Sequence, residues 1–180
     1  GKIEPMIVVM PNGNAVKQAA PGETSENLSY LPVMTNQLKG YKTGSYEESF
    51  DEIVEYIDRH YRTIRKKEKR AVAGLSMGGF HSLFIALNHP EKFNYVGLLS
   101  AGLNTAFLDM TRPAYKDMEA KLKNFQKEGY KLFWIACGKD DFLYQNNLDF
   151  MKTCDNIGFE YTYHESERGH IWANWRQYLL

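Results

Sequence analysis

The chain has 180 residues, 43% of them hydrophobic and 24% charged, which suits one globular domain with a real core. Lys plus Arg is 22 and Asp plus Glu is 22, so the formal net charge is zero and nothing in it points to a nucleic acid or an anionic membrane. No apolar run approaches the roughly 18 residues that span a bilayer. The two cysteines, Cys137 and Cys154, argue against a disulfide framework and cannot form a zinc site alone, so they read as free buried thiols.

The opening G-K-I-E-P is not a signal peptide and carries no Met, as expected of a fragment or a processed product. Met6 to Met10 is a continuous apolar run ending in Pro11-Asn12-Gly13, the pattern of a buried strand and a turn. Residues 14 to 44 have no clear period and hold several Pro and Gly, which predicts a long loop. Ser45 to Arg65 reads as a helix, with Phe50, Ile53, Val54, Ile57, Tyr61 and Ile64 at three- and four-residue steps and Ser45 with Glu48 as a capping box. Lys66 to Arg70 is a solvated basic turn.

Arg70 to Leu75 is a short strand, and Met77 to Asn88 a helix with Phe80, Leu83, Phe84 and Leu87 on one face, stopped near Pro90. Tyr95 to Ser100 is a strand, Pro113 to Glu128 a helix stopped by Gly129, and Lys131 to Cys137 a strand. Asn146 to Ile157 is a helix ended by Gly158, Phe159 to His164 the last strand, and Trp172 to Leu180 the last helix. Alternation of this kind predicts an α/β fold with a mostly parallel sheet covered on both faces. Sites in such sheets form at the carboxyl ends of strands. Chemistry is therefore expected at Pro11-Asn12-Gly13, Ser76, Ser100-Ala101-Gly102, Gly138 to Phe142, and Glu165 to His170.

The stretch G-L-S-M-G-G, residues 74 to 79, places Ser76 between a strand and a helix. G-x-S-x-G in that context is a nucleophile elbow, a turn so sharp that the serine is strained and its hydroxyl exposed. Gly74 and Gly78 are then small because side chains there would clash with the strand and helix. The Met77 amide, at the helix amino terminus, would face a developing oxyanion. Of five histidines, His60, His81 and His89 lie in or at the ends of predicted helices, while His164 and His170 lie at or after the last strand. His170, in R-G-H-I-W, suits a base that swings over the elbow, with His164 the alternative. The orienting carboxylate is Asp141 or Asp140, and the apolar Phe142-Leu143 that follows favours Asp141.

With these residues in place the chain resembles the esterase-D-like branch of the α/β-hydrolases, and in particular the feruloyl and acetyl-xylan esterases of carbohydrate esterase family one. The stretches that carry the resemblance are P-M-I-V-V-M-P-N-G-N, Y-I-D-R-H-Y-R-T, R-A-V-A-G-L-S-M-G-G-F-H-S, G-K-D-D-F-L-Y and G-H-I-W-A-N-W-R-Q-Y-L. It implies that residues 1–180 are a single α/β-hydrolase domain, the carboxyl-terminal portion of a catalytic domain lacking its first strands. It also implies a serine esterase needing no metal or cofactor, which removes feruloyl or acetyl groups from plant polysaccharide such as arabinoxylan, in a secreted or periplasmic bacterial setting. Siderophore-ester or formylglutathione hydrolysis is the alternative within the branch, and a non-catalytic binding domain the alternative outside it. The family's H-G loop, which donates a second oxyanion amide, has no counterpart before residue 14. The gap this implies in the sheet, between Met6–Met10 and Arg70–Leu75, is expected to be filled by another chain in a homo-oligomer formed through the incomplete sheet, or closed by direct pairing of those two strands, or left as poor packing. Trp172 and Trp175, three apart on one helix, are core or pocket wall, and Tyr144 carries the same two readings. Trp172 and Tyr144 are the candidate substrate contacts.

Overall fold

The computed structural model describes residues 5–11, 45–104 and 110–179. The Pro11-Asn12-Gly13 turn beyond Pro11, the loop from 14 to 44, and part of the Leu103–Pro113 stretch lie outside the described residues. The elements run α1 (Ser45–Glu48), α2 (Phe50–His60), a 3-10 turn (Lys67–Lys69), β1 (Ala71–Leu75), α3 (Met77–Asn88), β2 (Tyr95–Leu99), α4 (Met118–Glu128), β3 (Leu132–Gly138), α5 (Tyr144–Asn156), β4 (Thr162–Ser166) and α6 (Trp172–Tyr178).

The four strands form one sheet in sequence order, β1-β2-β3-β4, and every pair is parallel. Each step to the next strand is a helical crossover. Right-handed crossovers that all move in one direction along a sheet put their helices on one face. Accordingly α3, α4 and α5 contribute Phe80 to Leu87, Leu122, Phe125, Phe150, Met151 and Cys154 to one large core. Alternate strand residues face it: Phe133 and Ile135 belong to that core, while Ala136 lies in a smaller cluster on the other face with Leu99, Tyr178, Trp134 and Trp175. That second face is covered by α6, so helices lie on both sides of the sheet.

Several elements differ from the sequence pattern. Met6–Met10 is neither a strand nor buried: its five side chains are 42–88% exposed, because no described residue covers or pairs with it. The single helix expected over 45–65 breaks at Ser49, whose hydroxyl donates to the Tyr46 carbonyl (3.4 Å). It then stops at His60, where Tyr61 is extended (φ −128°, ψ 158°). Tyr61 and Ile64, expected on the apolar face, are exposed. The helix expected from Pro113 begins at Met118, because Asp117 takes a left-handed conformation (φ 57°, ψ 40°). The last strand starts at Thr162 rather than Phe159, whose ring instead packs edge-on against Phe133 in the core.

Candidate active site

Ser76 sits in the one-residue connection from β1 to α3 with φ 56° and ψ −114°, a conformation that costs a non-glycine residue energy and needs support from its surroundings. The support is backbone hydrogen bonding. The Ser76 amide donates to Leu99 O (2.8 Å), and its carbonyl accepts from Phe80 N (3.2 Å) and Gly102 N (3.0 Å). A Cβ on Gly74 would overlap the Gly78 backbone, so the turn closes there only with glycine. At Gly78 a Cβ would meet nothing within 4 Å, which corrects the expected clash; the second tight position is Gly79, against Ala101 Cβ (2.5 Å). Met77 is the first residue of α3, so its N–H belongs to the first-turn amides that no intrahelical carbonyl can take.

Asp141 lies in a turn after β3, closed by Asp141 N to Gly138 O (3.1 Å) and Tyr144 N to Asp141 O (2.8 Å). Its carboxylate is fully buried. Oδ1 accepts from Leu143 N (2.9 Å), and Oδ2 lies 2.9 Å from His170 Nδ1. Asp140, by contrast, is exposed, and its amide donates to Arg168 O (3.0 Å). That bond, Lys139 N to Ser166 O (2.8 Å), and the close approach of Gly138 to the Arg168 carbonyl hold the loop after β4 against the loop after β3. Arg168 (φ 69°) turns the chain, and Asn174 Nδ2 donates to Gly169 O (3.0 Å). These contacts carry His170 from β4 back to Asp141.

A neutral His170 that donates Nδ1–H to Asp141 keeps Nε2 as a proton acceptor. Its ring contacts both Phe142 (centroids 4.8 Å apart, 52°) and Trp175 (4.9 Å, 81°). The structure joins Asp141 to His170 directly. Among the described residues Ser76 and His170 share no hydrogen bond. The link between them is indirect: Trp175 Nε1 donates to Ser100 Oγ (3.3 Å), and Ser100 lies in the Leu99–Gly102 stretch that clasps Ser76.

The other histidines are occupied elsewhere. His60 stacks on Tyr56, and His164 stacks on Trp134 along β4. His81 is buried against Glu47 (2.6 Å), and His89 lies 3.6 Å from Asp51. Burial first, and then the Asp141 charge, push the Cys137 thiol up to about 12, which leaves no thiolate beside the carboxylate. Asp51, His89 and Glu91 bring donor atoms within 4.8 Å of one another. Lys92 Nζ already lies 3.1 Å from Asp51 Oδ1, so that group is an ion-pair cluster. It adjoins the far end of α3, about 18 Å of helix from Ser76.

Trp172 is 67% exposed and meets Trp175 edge to face (5.4 Å), so the expected choice between core and wall resolves differently for the two: Trp172 is outside the core and Trp175 is half-buried. Tyr144 opens α5, and its hydroxyl donates to Glu165 Oε2 (2.6 Å). That hydrogen bond to the carboxylate raises the Tyr144 phenol above its ordinary value. Ser100 and Phe142 stand in the strand-end stretches expected to carry chemistry but had no role assigned, and nothing in the pattern pointed to the Glu47–His81 pair.

A parallel sheet with covering helices and a serine on a strained strand–helix turn defines an α/β-hydrolase-fold protein. The family model Esterase, described as "Putative esterase", matches residues 1–180, and the chain belongs to that esterase family. It is 28% identical over 155 residues to an acetyl esterase of Caldicellulosiruptor saccharolyticus, covering 72% of this chain and 58% of the relative. It is 38% identical over 108 residues to an endo-1,4-beta-xylanase/feruloyl esterase of Xylanibacter ruminicola, covering 57% of this chain and 12% of the relative. Among solved structures it is similar to the S-formylglutathione hydrolase of Staphylococcus aureus, with TM-score 0.61 and 29% identity, over 74% of this chain and 57% of that one. The chain thus spans less than two thirds of the length of each of these proteins.

Proposed function

We propose that this chain carries the catalytic residues of a serine esterase that removes feruloyl or acetyl groups from plant polysaccharide. One observation carries the reading: the buried Asp141 carboxylate 2.9 Å from His170 Nδ1, on the same strand-end edge as the strained Ser76. In this mechanism His170 Nε2 takes the Ser76 proton as Oγ attacks the ester carbonyl, and Asp141 stabilises the imidazolium. The Met77 amide and the positive end of α3 hold the oxyanion. The alcohol leaves with the proton from His170, and water repeats the cycle on the acyl-enzyme. No step calls for a metal or cofactor.

The substrate class is supported by the likeness to an acetyl esterase and to a xylanase/feruloyl esterase, and by the exposed Trp172 two residues after His170. Trp172, and Tyr144 on the Asp141 side, are the proposed substrate contacts. Esterified polysaccharide implies work outside the cytoplasm. Ser76→Ala should lower hydrolysis of a chromogenic acetyl or feruloyl ester by more than about 10⁴-fold in the full-length enzyme. Retained hydrolysis would remove Ser76 from the chemistry. The likeness to a formylglutathione hydrolase favours a thioester substrate as the second reading. Comparing kcat/KM on feruloyl-arabinose, acetyl-xylan and S-formylglutathione decides between them.

A further inference from the structure

We infer that Ser100 and Trp175 are positioning residues that set the His170 imidazole in register with the Ser76 elbow. The inference rests on the reading of Ser76 and His170 as nucleophile and base.

Two adjacent parallel strands each end in a serine with positive φ, Ser76 after β1 (56°) and Ser100 after β2 (43°). Ser100 is fully buried. Its neighbours hold the elbow from both sides, since Leu99 O accepts from the Ser76 amide (2.8 Å) and Gly102 N donates to the Ser76 carbonyl (3.0 Å). The left-handed turn at Ser100 lets one short stretch make both bonds. It also presents Ser100 Oγ to Trp175 Nε1 (3.3 Å).

Trp175 in turn confines the base. The Asp141 bond fixes one nitrogen of His170 but leaves the ring free to swing about that contact. The indole stands nearly perpendicular to the imidazole (81°, centroids 4.9 Å), and blocks the swing on one side. Phe142, the other aromatic in contact with the ring, is 75% exposed, so it confines the ring less. An indole held only by packing on the cluster of Leu99, Ala136 and Tyr178 could rotate; the Nε1–Oγ bond removes that freedom. The path from nucleophile to base is therefore Ser76, the Leu99–Gly102 clasp, the Ser100 hydroxyl, the Trp175 indole and the His170 ring. A buried serine satisfied by an indole for stability alone would leave the base where it is.

Trp175→Phe keeps an aromatic face and loses the Nε1–H donor; Ser100→Ala loses the hydroxyl that accepts it, together with that hydroxyl's contacts to Cys137 and Tyr178. In the full-length enzyme each should lower kcat about 3- to 10-fold with KM unchanged, the size of one lost neutral hydrogen bond. The double variant should lose no more than either single one. A less confined imidazolium is less stabilised, so the acid limb of kcat/KM should move to lower pH in both variants. If both keep the parent kcat and pH profile while thermal stability falls, the role is structural and the inference is wrong. Additive losses would also overturn it, since the two residues would then act separately. Ser100→Gly, which relieves the left-handed strain, repeats the test if Ser100→Ala folds poorly. Ser76→Ala separates the two ideas: activity in that variant sinks the reading of the site, whereas an inactive Ser76→Ala beside unaffected Trp175 and Ser100 variants sinks this inference alone.

Discussion

Gly74 and Gly78 flank Ser76 symmetrically in sequence but not in space. A Cβ at Gly74 would enter the Gly78 backbone, which no side-chain movement relieves. A Cβ at Gly78 enters open space within the first turn of α3. Gly74→Ala should therefore destabilise by about 3 kcal/mol or more, as overpacking against backbone does. Gly78→Ala should be neutral or stabilise by about 0.5–1 kcal/mol through its helix preference. Thermal unfolding of the two variants checks this, and equal effects would contradict the geometry. Ser76, Asp141 and His170 were readable as candidates because chemistry-bearing side chains directly after strands stand out in any α/β pattern. Ser100 stood in an expected strand-end triplet but had no role assigned, because what sets it apart is a backbone angle. A serine that turns the chain left-handed looks in sequence like any other serine after a strand. Gly78 differs from its expectation for the same reason: the motif supplies the glycines, and only the folded turn decides which one is crowded.

At the scale of elements, the join between α2 and β1 depends on one carboxylate. Asp58, in the last turn of α2, meets Arg70 at the foot of β1 (2.5 Å) and accepts from the Thr63 hydroxyl (2.7 Å). Burial pulls the Asp58 carboxyl up, but the Thr63 hydrogen bond and the Arg70 guanidinium together outweigh it, so the group titrates below its ordinary value. A carboxylate with a depressed folded pKa contributes stability that is fully present above its unfolded value of about 3.9. That contribution is lost as pH falls through the lower folded value. Asp58→Asn should lower stability at neutral pH and flatten its fall below about pH 4, as read by urea unfolding across pH. An unchanged acid limb would remove Asp58 from the account. This contact also explains why the helix expected to run to Arg65 ends at His60: the chain after α2 turns back so that Thr63 and Arg70 can reach Asp58. Hydrophobic periodicity carries no trace of such a polar anchor. The four-residue α1 is similar. Its Glu47 is 1% exposed, bound to His81 (2.6 Å) and to the Tyr115 hydroxyl (3.3 Å), a pairing across distant parts of the chain that no local pattern predicts.

The two edges of the sheet differ in a way that bears on how the whole molecule behaves. Among the described residues β1 and β4 are the outer strands. β4, T-Y-H-E-S, carries a histidine and a glutamate, and Lys139 pairs with its Glu165 (3.4 Å), devices that discourage a further strand. β1, A-V-A-G-L, has no charged side chain, and its Ala71 and Ala73 are exposed. Met6–Met10 adds five exposed apolar residues without a strand partner. The sequence pattern predicted a buried strand there because an apolar run normally finds a neighbouring strand. The described residues supply none, so the apolar character stays and the burial does not. Among the described residues an uncharged outer strand and an exposed apolar segment lie without a strand partner, and we propose that a second copy of this chain adds there, as the self-association expectation has it. Light scattering on the 180-residue chain should therefore show concentration-dependent association. Ala71→Lys and Val8→Lys should each reduce it, since a buried ammonium at a strand interface costs far more than an alanine or valine does. Ser76→Ala should leave it unchanged, because the elbow faces the strand ends rather than the edge. A chain that stays monomeric, or association indifferent to both lysines, would show that the β1 edge is protected without a partner.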